Sequence, residues 1–186
     1  TIDTKAHTVH LASGKTITFD KLLISTGSRP FIPSMDGLDQ VKDCFNFMTY
    51  DDAKAIKAAL NPSSKVLIVG AGLIGLKAAE GIYETTKDIT IVDLANRILP
   101  SILDEKGSSI VQSFLEDKGL KFYLNDSVAN FTSHTATLKS GQILDFDIVI
   151  VAVGVRPNVE LAKEAGIEVN CGIRINTSSQ TSINDI

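Results

Sequence analysis

The sequence predicts an α/β fold in three layers, in which a parallel sheet lies between helices and an antiparallel β-meander. Residues 65–93 read as strand, glycine turn, helix and strand, in that order. Residues 148–153 (IVIVAV) are a continuous apolar run, which is typical of a strand buried on both faces of a parallel sheet. Residues 128–131, 135–138 and 142–146 read as three short strands of a meander that turns at Ser140-Gly141.

The composition is that of a globular protein of one or two domains. Of the 186 residues, 44% are hydrophobic and 22% are charged, which excludes a disordered chain, a collagen and a coiled coil. The formal charge is −4 and no Lys/Arg-rich run exists, so we expect no nucleic-acid partner. The apolar runs are far shorter than the roughly 20 residues that span a bilayer, so we expect no membrane partner. Cys44 and Cys171, far apart in the chain, fit a reduced, cytoplasmic protein.

Local signals place the remaining elements. Thr49 begins a helix, because its hydroxyl can cap the first turn while Asp52 reaches back to the exposed amides. Asn61-Pro62 ends that helix, and Gly119 ends a later one whose apolar face holds Ile110, Val111, Phe114 and Leu115. We further expect strands at 7–11, 16–19, 21–25, 65–69, 88–93 and 121–124 and helices at 76–84 and 103–118, whereas 159–186 carry no clear pattern.

The chain contains an internal repeat at a spacing of 127 residues. Residues 7–30 (HTVHLASGKTITFDKLLISTGSRP) align without a gap to residues 134–157 (HTATLKSGQILDFDIVIVAVGVRP), with ten of 24 positions identical. In the second copy the glycine turn precedes the repeat by 64 residues, and the matching point for the first copy lies before residue 1. We therefore expect one complete nucleotide-binding domain and only the tail of an earlier, similar one.

The glycine turn Gly70-Ala71-Gly72-Leu73-Ile74-Gly75 predicts a dinucleotide site. It follows an apolar strand, opens a helix, and precedes an acidic residue, Asp93, at the end of the next strand. Gly70 permits the tight turn, Gly72 lets a diphosphate approach the backbone, and Gly75 lets helix and strand pack closely. The free amides of the first helical turn and the helix dipole then favour the anion. Methyltransferases also use a glycine turn and an acidic strand end, but the repeat argues against that class.

Asp93 predicts a preference for NAD(H) over NADP(H). A carboxylate accepts hydrogen bonds from ribose hydroxyls and repels a 2′-phosphate by about 1–4 kcal/mol at contact distance. The next residue is Leu94, which cannot pair with a phosphate, although Arg97 lies close enough in sequence to offset part of the repulsion.

Four segments resemble the flavin-dependent pyridine nucleotide–disulfide oxidoreductase family, and within it the NADH oxidase, nitrite reductase and rubredoxin reductase group. They are FDKLLISTGSRP (19–30), VLIVGAGLIGLKAAE (66–80), IVDLANRILP (91–100) and FDIVIVAVGVRPN (146–158). The resemblance implies that residues 40–155 form an NAD(H)-binding domain inserted between two pieces of an FAD domain, 1–39 and 156–186. Its cofactor-binding residues carry over to Gly70, Gly72, Leu73, Ile74, Gly75, Asp93 and Gly154.

The resemblance also implies the reaction, in which hydride passes from NADH to FAD and electrons pass on to an acceptor such as oxygen, nitrite, rubredoxin or a disulfide. The expected partners are the dinucleotide, the missing FAD-domain segments and an electron-acceptor protein. Many relatives carry tyrosine where this chain has Leu73, which can shield a flavin but cannot donate a hydrogen bond. We expect no catalytic residue and no metal ligand in this chain, and no activity from these 186 residues alone. The alternative is a free-standing module that senses NAD(H) without redox chemistry.

Overall fold

The structure, a computed structural model, describes all 186 residues, which form two compact units. The larger unit is residues 30–154, and the smaller unit combines residues 1–29 with residues 155–186. The strands are β1 (Ile2–Asp3), β2 (Thr8–His10), β3 (Thr16–Thr18), β4 (Ser28–Pro30), β5 (Cys44–Asn46), β6 (Val66–Val69), β7 (Ile89–Asp93), β8 (Lys121–Leu124), β9 (Val128–Phe131), β10 (Thr135–Leu138), β11 (Ile143–Asp145), β12 (Ile148–Val151) and β13 (Val155–Pro157). The helices are α1 (Tyr50–Ala59), α2 (Leu73–Ile82), α3 (Glu105–Asp117) and α4 (Glu160–Glu164), with a 3₁₀ turn at Leu38–Gln40.

A five-stranded parallel sheet forms the middle of the larger unit. Its strand order is β5-β12-β6-β7-β8, and every neighbouring pair is parallel. A separate antiparallel sheet, β11-β10-β9, is the predicted meander. Because β6 is followed by α2 and β7 by α3, both crossovers return to the sheet in the manner of doubly wound nucleotide-binding folds.

Alternate residues of the central strands enter two separate cores, as the period of two requires. One core lies on the helix side of the sheet and includes Ile68, Ile91 and Ile150. The other lies on the meander side and includes Val69 and Val149, among other buried residues. The central strands are therefore buried on both faces, which confirms the predicted three-layer α/β fold.

Residues 30–39 belong to the larger unit, so the observed division falls about ten residues before the expected boundary at residue 40. The Phe131 amide donates a hydrogen bond of 2.7 Å to the Asp36 carbonyl, which ties this segment to the meander. Gly37 has φ +76 and lies so close to the Phe131 backbone that a Cβ atom would be 3.0 Å from its carbonyl carbon. The second division falls between residues 154 and 155, and the expected NAD(H)-binding domain ends at residue 155.

The internal repeat is also a structural repeat. Strands β1, β2 and β3 form an antiparallel sheet in the order of β9, β10 and β11, and Val9 pairs with Ile17 as Ala136 pairs with Leu144. The amide-to-carbonyl bond from Phe19 to His7 has its counterpart from Phe146 to His134, each 3.0 Å long. Corresponding sequences thus adopt corresponding structures at this spacing.

The expected strand at residues 21–25 is wrong: the segment has no strand pairing. The Leu22 amide makes one backbone bond, to the Asp185 carbonyl, and Leu23 is 87% exposed. Its repeat counterpart is β12, which has a parallel neighbour on each side. The apolar sequence is therefore that of a strand, but the smaller unit supplies no neighbouring strands.

Two helices differ from expectation at their ends and faces. α2 begins at Leu73, directly after Gly72, rather than at residue 76. In α3, the partly buried Val111 and Leu115 pack against the core, but Ile110 and Phe114 are 63% and 59% exposed, so only half of the expected apolar face contacts the core. None of the helices is long and apolar enough to cross a membrane.

Candidate functional site

The glycine turn lies at the carboxyl edge of the central sheet. Val69, the last residue of β6, pairs with Val151 of β12 on one side and Val92 of β7 on the other. Gly70 then turns with φ +116, and a Cβ atom there would be 2.8 Å from the carbonyl carbon of Ala152. Glycine is therefore required at position 70 both by backbone conformation and by the adjacent loop. Such a carboxyl edge is where open α/β sheets bind ligands.

The beginning of α2 presents its first amides without a side-chain cap. Gly72 is the N-cap residue and accepts a bond of 3.1 Å from the Leu76 amide, but no side chain caps the amides that follow. The first amides of a helix lack intrahelical acceptors and carry the positive end of its dipole. Leu73 and Ile74 are 52% and 45% exposed, so this end of the helix is open to a ligand.

The three glycines of the turn have different structural roles. At Gly75 a Cβ atom would collide with the carbonyl oxygen of Gly70, so this glycine lets the helix begin against the strand end. At Gly72 the backbone is extended, with φ −77 and ψ −176, and a Cβ atom would meet nothing within 4 Å. The fold therefore requires glycine at positions 70 and 75 but not at position 72. What Gly72 leaves open is space for a ligand.

Asp93 ends β7 directly beside the turn, and its carboxylate bonds two backbone amides. Oδ2 accepts from the Ala71 amide at 2.5 Å, and Oδ1 accepts from the Ala95 amide at 2.7 Å. A carboxylate has about four acceptor positions, so roughly two remain for other donors such as ribose hydroxyls. Sequence reasoning predicted Asp93 as a ligand residue but missed its bond to the glycine turn.

A cleft of about 610 Å³ adjoins these strand ends. Gly70, Asp93 and Leu94 line it, with Val153 at the end of the β12 segment. Gly154 follows Val153 with φ +118, and a Cβ there would meet nothing within 4 Å. The structure thus brings Gly70, Asp93 and the residue before Gly154 to one cleft. The other predicted residues, Gly72, Leu73, Ile74, Gly75 and Gly154, are not among the residues that line it.

Further polar residues line the same cleft and were not predicted, among them Asp126 and Lys139. Asp126 follows β8, and Lys139 lies in the turn between β10 and β11. The Asp126 carboxylate accepts from the Ser127 amide at 2.8 Å and from the Ser140 amide at 3.3 Å. The hydrogen bond with the Ser140 side chain, helped by these amides, lowers the pKa of Asp126 below its ordinary value. The cleft therefore holds a second fixed carboxylate, which no sequence pattern signalled.

Neither cysteine belongs to the site. Cys44 lies in β5, where burial raises the pKa of its thiol, and Cys171 is exposed; both are free. A raised pKa keeps the thiol protonated and poorly reactive. No group of three or more His, Cys, Asp or Glu residues is arranged to hold a metal ion.

Comparison with known proteins gives consistent results. The family model described as "Pyridine nucleotide-disulphide oxidoreductase" matches residues 1–186. An NADH oxidase of Methanocaldococcus jannaschii is 38% identical over 90% of this chain and 39% of its own length. An assimilatory nitrate reductase electron transfer subunit of Bacillus subtilis is 36% identical over 97% of this chain and 24% of its own length.

Solved structures agree with the sequence relatives. A covalent putidaredoxin reductase–putidaredoxin complex matches with a TM-score of 0.90 at 28% identity, over 98% of this chain and 46% of that one. A water-forming NADH oxidase from Lactobacillus brevis, bound to NADH, matches with a TM-score of 0.77 at 26% identity, over 91% of this chain and 39% of that one. The chain thus spans less than half the length of each of these four proteins.

Proposed function

This chain belongs to the pyridine nucleotide-disulphide oxidoreductase family, and from that premise we propose that residues 30–154 bind NADH for a flavin-dependent oxidoreductase. The observation that carries the proposal is the open space over Gly72 beside the uncapped first turn of α2. Both features favour a diphosphate, since its oxygens need amide donors and a close backbone approach. The L. brevis relative is described as bound to NADH, which supports the same ligand here.

The proposed binding mode assigns a role to each predicted residue. The diphosphate lies over Gly72 and accepts hydrogen bonds from the amides of Leu73 and Ile74, with Gly70 and Gly75 shaping the turn. Asp93 accepts from the ribose hydroxyls through the acceptor positions that Ala71 and Ala95 leave free. The remainder of the dinucleotide extends along the strand ends toward Gly154.

We propose a preference for NADH over NADPH on the charges of the cleft. Asp36, Asp93 and Asp126 line it, and Lys139 is the only cationic side chain among its lining residues. A 2′-phosphate placed beside these carboxylates is repelled by about 1–4 kcal/mol per close charge. Leu94, beside Asp93, is 72% exposed and offers no compensating positive charge.

The second proposed partner is further polypeptide carrying FAD. The smaller unit has strands and a short helix, but no strand that leads through a glycine turn into a helix. Its residues therefore do not form a diphosphate site for FAD. Its segment 21–24 corresponds in the repeat to β12, in which Ile150 is fully buried, whereas the equivalent Leu23 is 87% exposed. We propose that other segments of a longer protein cover this surface, complete the flavin domain and hold the FAD.

In this proposal the chain binds and orients the dinucleotide, and the cofactors supply the redox chemistry. NADH supplies a hydride when it is bound, and the residues of this chain fix its diphosphate and ribose. The names of the relatives, a water-forming NADH oxidase, a nitrate reductase electron transfer subunit and a putidaredoxin reductase–putidaredoxin complex, suggest oxygen, a nitrate reductase or a redox protein as acceptor. An acceptor protein is therefore part of the proposal, and the 186 residues alone are proposed to be inactive.

The test is titration of the 186-residue chain with NADH and with NADPH by calorimetry, together with an absorption spectrum of the purified protein. We expect stoichiometric NADH binding, weaker NADPH binding and no flavin absorption. A chain that binds neither dinucleotide contradicts the proposal for residues 30–154. Stoichiometric bound FAD contradicts the proposal that other segments complete the flavin site.

A sensing module without redox chemistry is the second candidate, favoured by the location of the whole cleft within residues 30–154. Adding a separately produced flavin-domain segment from a relative distinguishes the two. Reduction of its FAD by NADH, dependent on this chain, supports the oxidoreductase, whereas binding without electron transfer supports the sensor.

A further inference from the structure

Two hydrogen bonds join the glycine turn to the end of β7 and the loop after it, and a third holds the carboxylate that makes one of them. The Ala71 amide donates to Asp93, and the Ala95 amide donates to the other oxygen of the same carboxylate. The Ala71 carbonyl in turn accepts from the Leu99 amide at 2.9 Å. Both backbone polar groups of Ala71 are therefore hydrogen-bonded, the amide to the last residue of β7 and the carbonyl to the loop that follows it. We call these three bonds the Ala71 bracket.

Two observations show that the bracket is specifically built. Ala71 is fully buried and belongs to the core on the helix side of the sheet, so its backbone has no access to water and relies on these partners. Leu99 has φ +50, a left-handed conformation that is unfavourable for a leucine. That conformation accompanies the bond from the Leu99 amide to Ala71, so the loop accepts local strain where it contacts the turn.

We infer that Asp93 is a positioning residue for the diphosphate as well as a ligand for the ribose. Through Ala71 it fixes the residue immediately before Gly72, and so it fixes the direction of the first amides of α2. The inference rests on the proposed function, since it concerns the same dinucleotide. It adds that the diphosphate and ribose sites form together before the ligand arrives.

Neutralising Asp93 changes the affinity for a diphosphate in opposite directions, depending on whether its charge or its bond to the turn matters more. The direction of the change therefore tests the inference. Neutralising an acidic side chain near a diphosphate removes repulsion and strengthens the binding of the anion. If Asp93 holds the turn, its neutralisation instead weakens binding, because the Ala71 or the Ala95 amide then loses its charged acceptor. Asp93→Asn offers one acceptor oxygen in place of two and places an NH₂ group against the other amide.

The test separates ribose contacts from positioning through the ligand. ADP carries both ribose hydroxyls, whereas 2′,3′-dideoxy-ADP carries the diphosphate and adenine without them. We measure the affinity of the 186-residue chain for both ligands in the wild type, in Asp93→Asn and in Asp126→Asn. The Asp126 variant is the matched control, because it removes an equal charge from the same cleft and keeps the Oδ1 acceptor that bonds Ser127 and Ser140.

We expect Asp93→Asn to bind 2′,3′-dideoxy-ADP about three- to tenfold more weakly than the wild type, because the asparagine oxygen keeps one of the two bonds and the other, of ordinary net strength, is lost. We expect Asp126→Asn to bind it equally or more tightly. An Asp93→Asn chain that binds 2′,3′-dideoxy-ADP as well as the wild type, yet loses affinity for ADP, overturns the inference and leaves the proposed function intact. A wild type that binds neither ADP nor NADH contradicts the proposed function itself.

A second measurement does not depend on the ligand. Hydrogen exchange at the Ala71 amide, followed by NMR, is expected to accelerate in Asp93→Ala, which removes both acceptor oxygens, while the amides of β6 remain protected as in the wild type. Unchanged protection at Ala71 overturns the inference. Equal loss of protection across β6 also overturns it, because the role of Asp93 is then a general one in stability.

Discussion

Three alanine substitutions within one helix and its cap separate ligand binding from folding. Gly72→Ala adds a methyl group where the structure leaves open space and ordinary backbone angles. Replacing glycine by alanine at an N-cap costs about 0.5–1 kcal/mol, and the reduced entropy of the unfolded chain returns about 0.4–1 kcal/mol. We therefore expect the melting temperature of Gly72→Ala to change by no more than about 2 °C.

The same methyl group has a large expected effect on NADH. It holds the diphosphate away from the first amides of α2 and thereby removes at least one charge-assisted hydrogen bond, worth about 1.5–3 kcal/mol. That loss corresponds to roughly a tenfold to 150-fold increase in Kd. Calorimetric titration with NADH measures it, and thermal unfolding of the same sample measures stability.

Two matched variants complete the series. Gly75→Ala places a Cβ atom against the Gly70 carbonyl, and we expect it to lower the free energy of unfolding by about 1–3 kcal/mol, despite the better helix propensity of alanine. Gly81 lies in the same helix, and a Cβ atom there would meet nothing within 4 Å. We expect Gly81→Ala to raise the free energy of unfolding by about 0.5–1 kcal/mol and to leave the NADH affinity unchanged. If Gly72→Ala binds NADH as tightly as the wild type does, the diphosphate does not lie over this turn, and the reasoning fails.

Three other predictions follow from single contacts. Asp93→Ser combined with Leu94→Arg is expected to shift the preference toward NADPH while lowering total affinity, because serine cannot bond both Ala71 and Ala95; unchanged NADH affinity in a titration argues against ribose contact by Asp93. Bonds from the Thr49 and Met48 amides lower the pKa of Asp52, so this carboxylate stabilises α1 above the ordinary pKa of 3.8, and the stabilisation is lost as the pH falls through the lower folded pKa. The free energies of unfolding of the wild type and Asp52→Asn, measured in urea against pH, are therefore expected to converge in acid. A difference that stays constant with pH refutes the prediction. Phe146 is 2% exposed, and we expect Phe146→Ala to lower the free energy of unfolding in urea by about 3–5 kcal/mol. Its repeat counterpart Phe19 is only partly buried, so we expect Phe19→Ala to lower it by less. Equal losses contradict the prediction.

Periodicity and capping allowed much of the larger unit to be predicted. The apolar runs at β6 and β12, the meander and the helix capped by Thr49 and Asp52 all follow from local chemistry, and the capping box is present as expected. The glycine turn was predicted because each of its residues has a constraint that sequence spacing reveals. The fold class is therefore contained in short stretches of the chain.

What could not be predicted depends on residues distant in sequence. The strand expected at residues 21–25 fails because strand formation needs neighbours, which hydrophobicity does not report. The bond between Asp93 and Ala71 joins residues 22 apart, and the left-handed Leu99 has no sequence signal, since leucine rarely adopts that conformation. Asp126 and Lys139 reach the cleft only because the meander folds over the sheet.

The two-sided burial of the central strands gives each position in them an address. In β6 and β12 the even-numbered residues 66, 68, 148 and 150 support the helices, and the odd-numbered residues 67, 69, 149 and 151 support the meander. In these two strands parity alone therefore sorts core substitutions: a cavity at an even position loosens the packing beneath α2 and so weakens ligand binding. A cavity of equal size one residue further along loosens the packing against the meander. The protein then loses stability, but the position of α2 is kept.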